Sequence, residues 1–253
     1  MAFLHLEPRP GRIAHNRKLV EKAITVAADR DARWIITPEL CVSGYFFQEG
    51  AGTGWINPQP DSWMKRLLGV ARRRQLTIFL SYPERDVKTG HLYNSVFVLG
   101  ADGQLKGVHR KIDVHPGPEE DWSTPGSELW PVTVDGIKVG LLICADTQHP
   151  EKAAILKEKG AQILVCPMAW GHKYGPGDRW EQRTAETGIP ILVCNRTGRE
   201  GEVDWTRAES VVAAGGRRLM QKSLDRSAIL LFDWDMETMS PISKEFRVVY
   251  LDS

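Results

Sequence analysis

A layered α/β protein is the fold class this sequence predicts, and three observations predict it. Segments with apolar residues at helical spacing alternate with short β-branched runs. Several strand-like runs are joined by turns built on Asp-Gly. No Gly/Ser/Pro linker, low-complexity segment or fixed-period repeat interrupts the chain, so residues 1–253 are expected to form a single domain with a sizeable core. Helix–strand alternation favours parallel pairing and hairpins favour antiparallel pairing, so mixed sheets are expected.

The elements follow in order. A strand at 2–6 leads to a helix over 13–30, whose stripe is Leu19, Val20, Ala23, Ile24, Ala27 and Ala28. In WIITPEL a short β-branched run is halted by Pro38, and a second helix spans 62–74. Strands come next at 76–82, at YNSVFVLG and, after an Ala-Asp-Gly turn, at LKGVHRK. WPVTV and KVGLLIC flank Asp135-Gly136, and Asp-Gly supplies the positive φ angles of a tight hairpin. A helix at 150–159, the strand ILVCP, a helix at 180–187 and the strand IPILVCN complete the reading.

Composition narrows the function classes. Lys plus Arg number 33 against 32 Asp plus Glu, and a net charge of +1 gives no electrostatic basis for binding nucleic acid or an anionic membrane. The runs Arg72–Arg74 and Gly216–Arg218 read as solvated faces. No apolar run nears the roughly 18 residues of a spanning helix, and MAFLHLEPRPGR has no basic leader or cleavage pattern, so a cytoplasmic location is expected. Cys41, Cys144, Cys166 and Cys194 form no C-x-x-C pair, which argues against a disulfide scaffold or a zinc ribbon.

Cys144 closes the strand KVGLLI before a polar turn, and Pro150 suits the first turn of the helix beyond. A cysteine on such a turn meets backbone N–H groups, which favour thiolate and offer an oxyanion site. An inert buried thiol is the alternative. Cys166 and Cys194, inside strand-like runs, read as core. A Cys–His pairing is weighed, but His5, His91, His109, His115, His149 and His172 stand in no cysteine-protease context. His109, Asp113 and His115 match no common metal-ligand spacing, so structural or solvated roles are expected for the histidines. Glu39, after the strand and proline of ITPELCVSGY, and Lys111, ending LKGVHR, sit at strand ends as Cys144 does. Taken singly such charges are solvated, yet reactive types gathered at strand ends are what an α/β active site needs.

These segments carry a family likeness. PEL with Gly44-Tyr45 shortly after it, HRK, and ICAD followed by HPE resemble, in order, the signature segments of the nitrilase superfamily of carbon-nitrogen hydrolases. PMAW and WEQRTAETGIPILVCNRTG resemble its later blocks, extending the likeness from about Ala2 to about Phe232. Ala145, where many of its amidases carry tyrosine, and RTAET depart from the pattern.

The resemblance implies a four-layer αββα sandwich and an amidase-like hydrolase of a non-peptide C–N bond, of EC 3.5.1 type. It implies Glu39 as general base, Lys111 as electrostatic stabiliser, Cys144 as nucleophile and the Ala145 N–H as oxyanion donor. A second glutamate falls at Glu119, with Glu120 as the competing alignment. Tyr45, Trp122, Trp170 and His172 are candidate pocket residues that could equally be core. The implied reaction passes through a cysteine thioester, releases ammonia or an amine, and requires neither a metal nor an organic cofactor. The implied partners are a small amide or carbamoyl substrate and a second copy of the chain, as a homodimer or higher oligomer. A nitrilase, an N-carbamoyl amidohydrolase and a catalytically silent interaction subunit are the alternatives. Cys144-Ala145-Asp146 favours the amide, since nitrilases of the superfamily usually carry Cys-Trp-Glu there.

Overall fold

The computed structural model describes residues 1–171, 173 and 175–251. In chain order, β1 (Ala2–His5), α1 (Ile13–Ala28), β2 (Trp34–Ile36), α2 (Phe47–Ala51), α3 (Ser62–Arg74), β3 (Thr77–Arg85), β4 (Leu92–Leu99) and β5 (Leu105–Arg110) build one half. The other half contains β6 (Val132–Val134), β7 (Ile137–Leu141), a 3-10 turn at Cys144–Gln148, α4 (Pro150–Glu158), β8 (Ile163–Pro167), α5 (Arg179–Thr187) and β9 (Ile191–Cys194). A ribbon of β10 (Arg199–Glu200) and β11 (Val203–Asp204) and the strands β12 (Ser210–Ala214) and β13 (Arg217–Lys222) follow. The chain then crosses back through β14 (Ala228–Leu231), the short pair β15 (Trp234–Asp235) and β16 (Ser240–Pro241), and β17 (Arg247–Tyr250).

Two mixed sheets result, ordered β17-β14-β1-β2-β3-β4-β5 and β13-β12-β9-β8-β7-β6. Strands β1, β2 and β3 pair in parallel, as do β7, β8 and β9, and hairpins add the antiparallel strands. Alternation along the strands sorts the side chains between two cores. Phe3, Trp34 and Ile36 face the second sheet, packing with Leu141 and Val165. Leu4 and Ile35 face outward, against Val20 and Ile24 of α1 and Trp63 and Leu67 of α3. Leu156 of α4 and Trp180 of α5 are buried in the same cluster, and Leu156 meets Leu164 over Gly140, on the opposite face of the second sheet from Val165. The layers therefore run α-β-β-α, and each fully buried large apolar side chain contributes roughly 1.5–3 kcal/mol.

Local interactions fix the ends of these elements. Asp61 caps α3 by accepting the N–H of Met64 at 2.8 Å. Asp135 and Gly136 take φ values of 51° and 79° at the hairpin turn. The Asp135 carboxylate also accepts from Trp34 Nε1 at 2.7 Å and Thr77 Oγ1 at 2.6 Å, pinning this turn of the second sheet to the first. Two expectations are corrected. Strand β3 runs past 82 through Pro83 to Arg85, because β2 pairs with it only as far as Phe79 and no ladder bond is lost at the proline. Arg218, read as solvated, is half-buried and meets Glu181 and Glu209, each at 2.6 Å. Arg72, Arg73 and Arg74 are exposed, as expected. Among the described residues no helix is long and apolar enough to cross a membrane.

Candidate active site

Strand direction brings the site together. β4 is antiparallel to β3 and β5 to β4, so β5 ends at the sheet edge where β3 ends and where β4 begins. Glu39 past β2, Lys111 past β5 and Asn94 near the start of β4 therefore share that edge. The N–H of Glu39 donates to the carbonyl of Met168, just past β8, at 3.1 Å, so the corresponding edge of the second sheet lies alongside.

Lys111 is wholly buried, and its Nζ lies 2.7 Å from both Glu39 Oε1 and Glu119 Oε2. Asn94 Nδ2 donates to the same two carboxylates, at 2.8 Å to Glu39 and 2.7 Å to Glu119. Glu119 also accepts from the His115 N–H at 2.9 Å and the Tyr45 hydroxyl at 3.3 Å. Glu39 Oε2 has no hydrogen-bond partner among the described residues. Charges expected at solvated strand ends are thus buried, because each finds its counter-charge across the sheet edge. Of the two glutamates that the alignments left open, Glu119 reaches Lys111, while Glu120 is exposed and, among the described residues, accepts only from the Gly117 N–H.

Cys144 opens the 3-10 turn with φ at +44°, a left-handed backbone that is rare for a residue with a side chain. The turn is clamped by Asp146, which accepts from the N–H groups of Ile143, Ile112 and Asp113 and from His109 Nε2, all within 3.0 Å. Ile112 and Asp113 directly follow Lys111, so Asp146 ties the cysteine turn to the lysine segment. Burial works against the charge of Asp146, but His109 and these N–H groups outweigh it and hold its pKa low.

Electrostatics assign protons. Burial, reinforced by Glu119 and opposed by Lys111, raises the pKa of Glu39. Burial would strip Lys111 of its proton, but Glu39 and Glu119 together hold it as ammonium. Burial and the nearby Glu39 push the Cys144 thiol well above its ordinary pKa, with Lys111 offsetting only part of this. Burial and the facing carboxylate thus oppose the thiolate that the N–H groups of the turn were expected to favour.

Cys144, Ala145, Tyr45 and Trp170 line a cavity of about 330 Å³. A wider cavity of about 670 Å³ shares Ala145 and Gln148 with it but is not lined by Cys144. Phe46, Arg179 and Trp205 also line the smaller cavity, and of these Arg179 and Trp205 carried no sequence signal. Trp122 is core instead, packed edge-on against Phe47 at 5.0 Å. His172 lies outside the described residues. The remaining cysteines, Cys41, Cys166 and Cys194, are buried thiols. His5 and His109 are buried, hydrogen-bonded side chains, and His91, His115 and His149 are exposed.

Comparison with known proteins agrees with this geometry. The sequence profile of the carbon-nitrogen hydrolase family matches residues 1–244. The chain is 32% identical over 213 residues to the citrullinase of Francisella tularensis subsp. tularensis, covering 76% of this chain and 72% of that protein. It is 29% identical over 247 residues to an omega-amidase of Xenopus tropicalis, covering 90% of this chain and 85% of that one. The crystal structure of an amidase from Nesterenkonia sp. matches with a TM-score of 0.79 at 25% identity, over 90% of this chain and 87% of that one. An αββα sandwich with an acid, a lysine and a cysteine at its adjoining sheet edges, matched along nearly its whole length, belongs to the carbon-nitrogen hydrolase family of the nitrilase superfamily, as an amidase-like enzyme of EC 3.5.1 type.

Proposed function

We propose that this enzyme cleaves the C–N bond of a small amide through a thioester on Cys144. The observation that carries the reading is the buried Lys111 ammonium bridging Glu39 and Glu119 at 2.7 Å each, within electrostatic reach of Cys144. As Sγ attacks the carbonyl carbon, the thiol proton passes to Glu39, whose raised basicity and unpartnered Oε2 suit it to accept. An ammonium has three N–H donors. Two of those on Lys111 hold Glu39 and Glu119, and the third is available to the oxyanion. The Ala145 N–H, at the start of the 3-10 turn where N–H groups lack intrahelical acceptors, joins it. Collapse of the tetrahedral intermediate returns the proton from Glu39 to the leaving nitrogen, freeing ammonia or an amine. Water then cleaves the thioester with Glu39 again as base, giving the acid and the free thiol. Glu119, held by Lys111, Asn94 and Tyr45, presents its carboxylate to the amide nitrogen. No step calls for a metal or an organic cofactor.

Ammonia release from matched amides, carbamoyl compounds and nitriles tests the reaction, with intact-protein mass spectrometry watching for an acyl adduct absent in Cys144→Ala. Faster turnover of the amide with a trapped adduct is expected. Preference for the nitrile would move the enzyme to the nitrilase reading, and turnover without Cys144 would end the mechanism. The same reading takes residues 1–253 as one hydrolase domain, working in the cytoplasm as at least a homodimer without nucleic-acid or membrane partners. Light scattering and cell fractionation check these points.

A further inference from the structure

The arginines of this chain that are not fully exposed nearly all meet an oxygen acceptor. Arg17, Arg110, Arg183, Arg196 and Arg218 each pair with a carboxylate, and Arg85 donates to backbone carbonyls. Arg179 is the exception. It is half-buried at the start of α5, lines the same cavity as Cys144, and meets no carboxylate among the described residues. Its guanidinium instead lies over the Trp170 ring, 5.6 Å from the centroid. Among the described residues that line the cavity, Arg179 is the one Lys, Arg, Asp or Glu side chain; Glu39, Lys111 and Glu119 act on Cys144 from outside that lining. A guanidinium turned into a partly enclosed site presents a planar fork that matches a carboxylate.

We propose that Arg179 is a specificity-determining residue, and that the substrate is an amide or ureide bearing a carboxylate at the end remote from the scissile C–N bond. The inference rests on the reading of Cys144 as the reacting group. The cavity, at about 330 Å³, is near the lower end of ordinary small-molecule sites, so both ends of a short substrate are in reach of the protein. Trp170 backs the guanidinium, and the bound carboxylate supplies the partner that the described residues do not.

The test compares half-amides of short dicarboxylic acids with their methyl esters, which keep the shape and remove the charge. In the wild type kcat/KM for the free acid is expected to exceed that for the ester by on the order of 10- to 100-fold, the scale of a hydrogen bond to a charged group. In Arg179→Gln the acid-to-ester ratio falls to near one, mainly through KM. Arg179→Lys, which keeps the charge and loses the fork, gives an intermediate ratio. A ratio near one in the wild type, or one unchanged in Arg179→Gln, overturns the proposal. Calorimetric binding of the half-amide to Cys144→Ala, with and without Arg179→Gln, reads the anion site without catalysis. No binding, or binding indifferent to Arg179, also overturns it. Turnover surviving in Cys144→Ala would instead indict the mechanism and leave the binding result to decide on Arg179.

Discussion

Two buried ion clusters lie on either side of Tyr45, and they differ in what they leave unused. At Arg196, Nη1 meets Glu200 Oε1, the other guanidinium nitrogens reach the carbonyls of Pro8 and Thr197, and the Trp205 ring lies 4.3 Å away. Glu200 Oε2 accepts the N–H groups of Tyr45 and Phe46, each at 2.9 Å. Every charged group there has its partners, so the cluster fixes a loop. At Lys111, among the described residues, Nζ donates to two carboxylates and Glu39 Oε2 has no hydrogen-bond partner, with the Cys144 thiol close by. Burial is common to both, and leftover hydrogen-bonding capacity separates the cluster we propose as reactive from the structural one.

The sharpest way to break this contrast is Cys144→Ala, expected to lower kcat by about 10⁴-fold or more while the circular dichroism spectrum holds. Near-normal turnover would remove the reason for calling the Lys111 cluster reactive. Glu39→Gln is expected to cost about 10²-fold to 10⁴-fold in kcat, and Lys111→Ala on the order of 10²-fold or more.

Glu39 also carries a pH signature. Its folded pKa is raised, so between its unfolded and folded pKa values the native state holds the extra proton and stability falls as pH rises. Thermal melts across that window should show this slope flattened in Glu39→Gln. Asp146, whose folded pKa is lowered, does the reverse: its contribution is present above the unfolded pKa and lost as pH falls through the folded one.

Glu200→Ala should act on stability first. Leaving Arg196 buried and unpaired is expected to cost about 3–5 kcal/mol. At about 2–4 °C per kcal/mol for a chain of this size, the loss is plain in a melting curve. An unchanged Tm would mean the saturated cluster holds nothing in place. The smallest effect is expected from Cys166→Ala, with about 1 kcal/mol lost and kcat within about twofold, since this thiol is packed inside β8.

What the sequence disclosed follows from range. Cys144, Glu39 and Lys111 stand out because each ends a strand-like run and the three segments in order carry the family resemblance, a signal that no one of them gives alone. The hairpin at Asp135-Gly136 was legible from its own turn residues. Asn94 sits mid-pattern in YNSVFVLG, and only the antiparallel direction of β4 brings it to the two glutamates. Glu200 and Arg196 gain meaning from contacts with residues near 8 and 45, far away in sequence. Helix α2, with five residues, is too short to show a period, and the strands beyond Cys194 include pairs of two residues each. The opposition to a thiolate at Cys144 was not legible because a turn's N–H groups can be inferred from sequence, whereas desolvation and a facing carboxylate cannot.

The left-handed backbone at Cys144 also restricts which amino acids evolution or engineering can install there. At a φ of +44° a β-branched side chain is strained by about 1–3 kcal/mol, so threonine, the other hydroxyl nucleophile of comparable size, is disfavoured before its chemistry is considered. Serine, alanine, asparagine and glycine fit more readily, and of these only serine carries a nucleophile. The scaffold thus holds its proposed nucleophile in a slot with a short alphabet, and redesign toward new acyl-transfer chemistry would have to change what surrounds that slot more than what fills it.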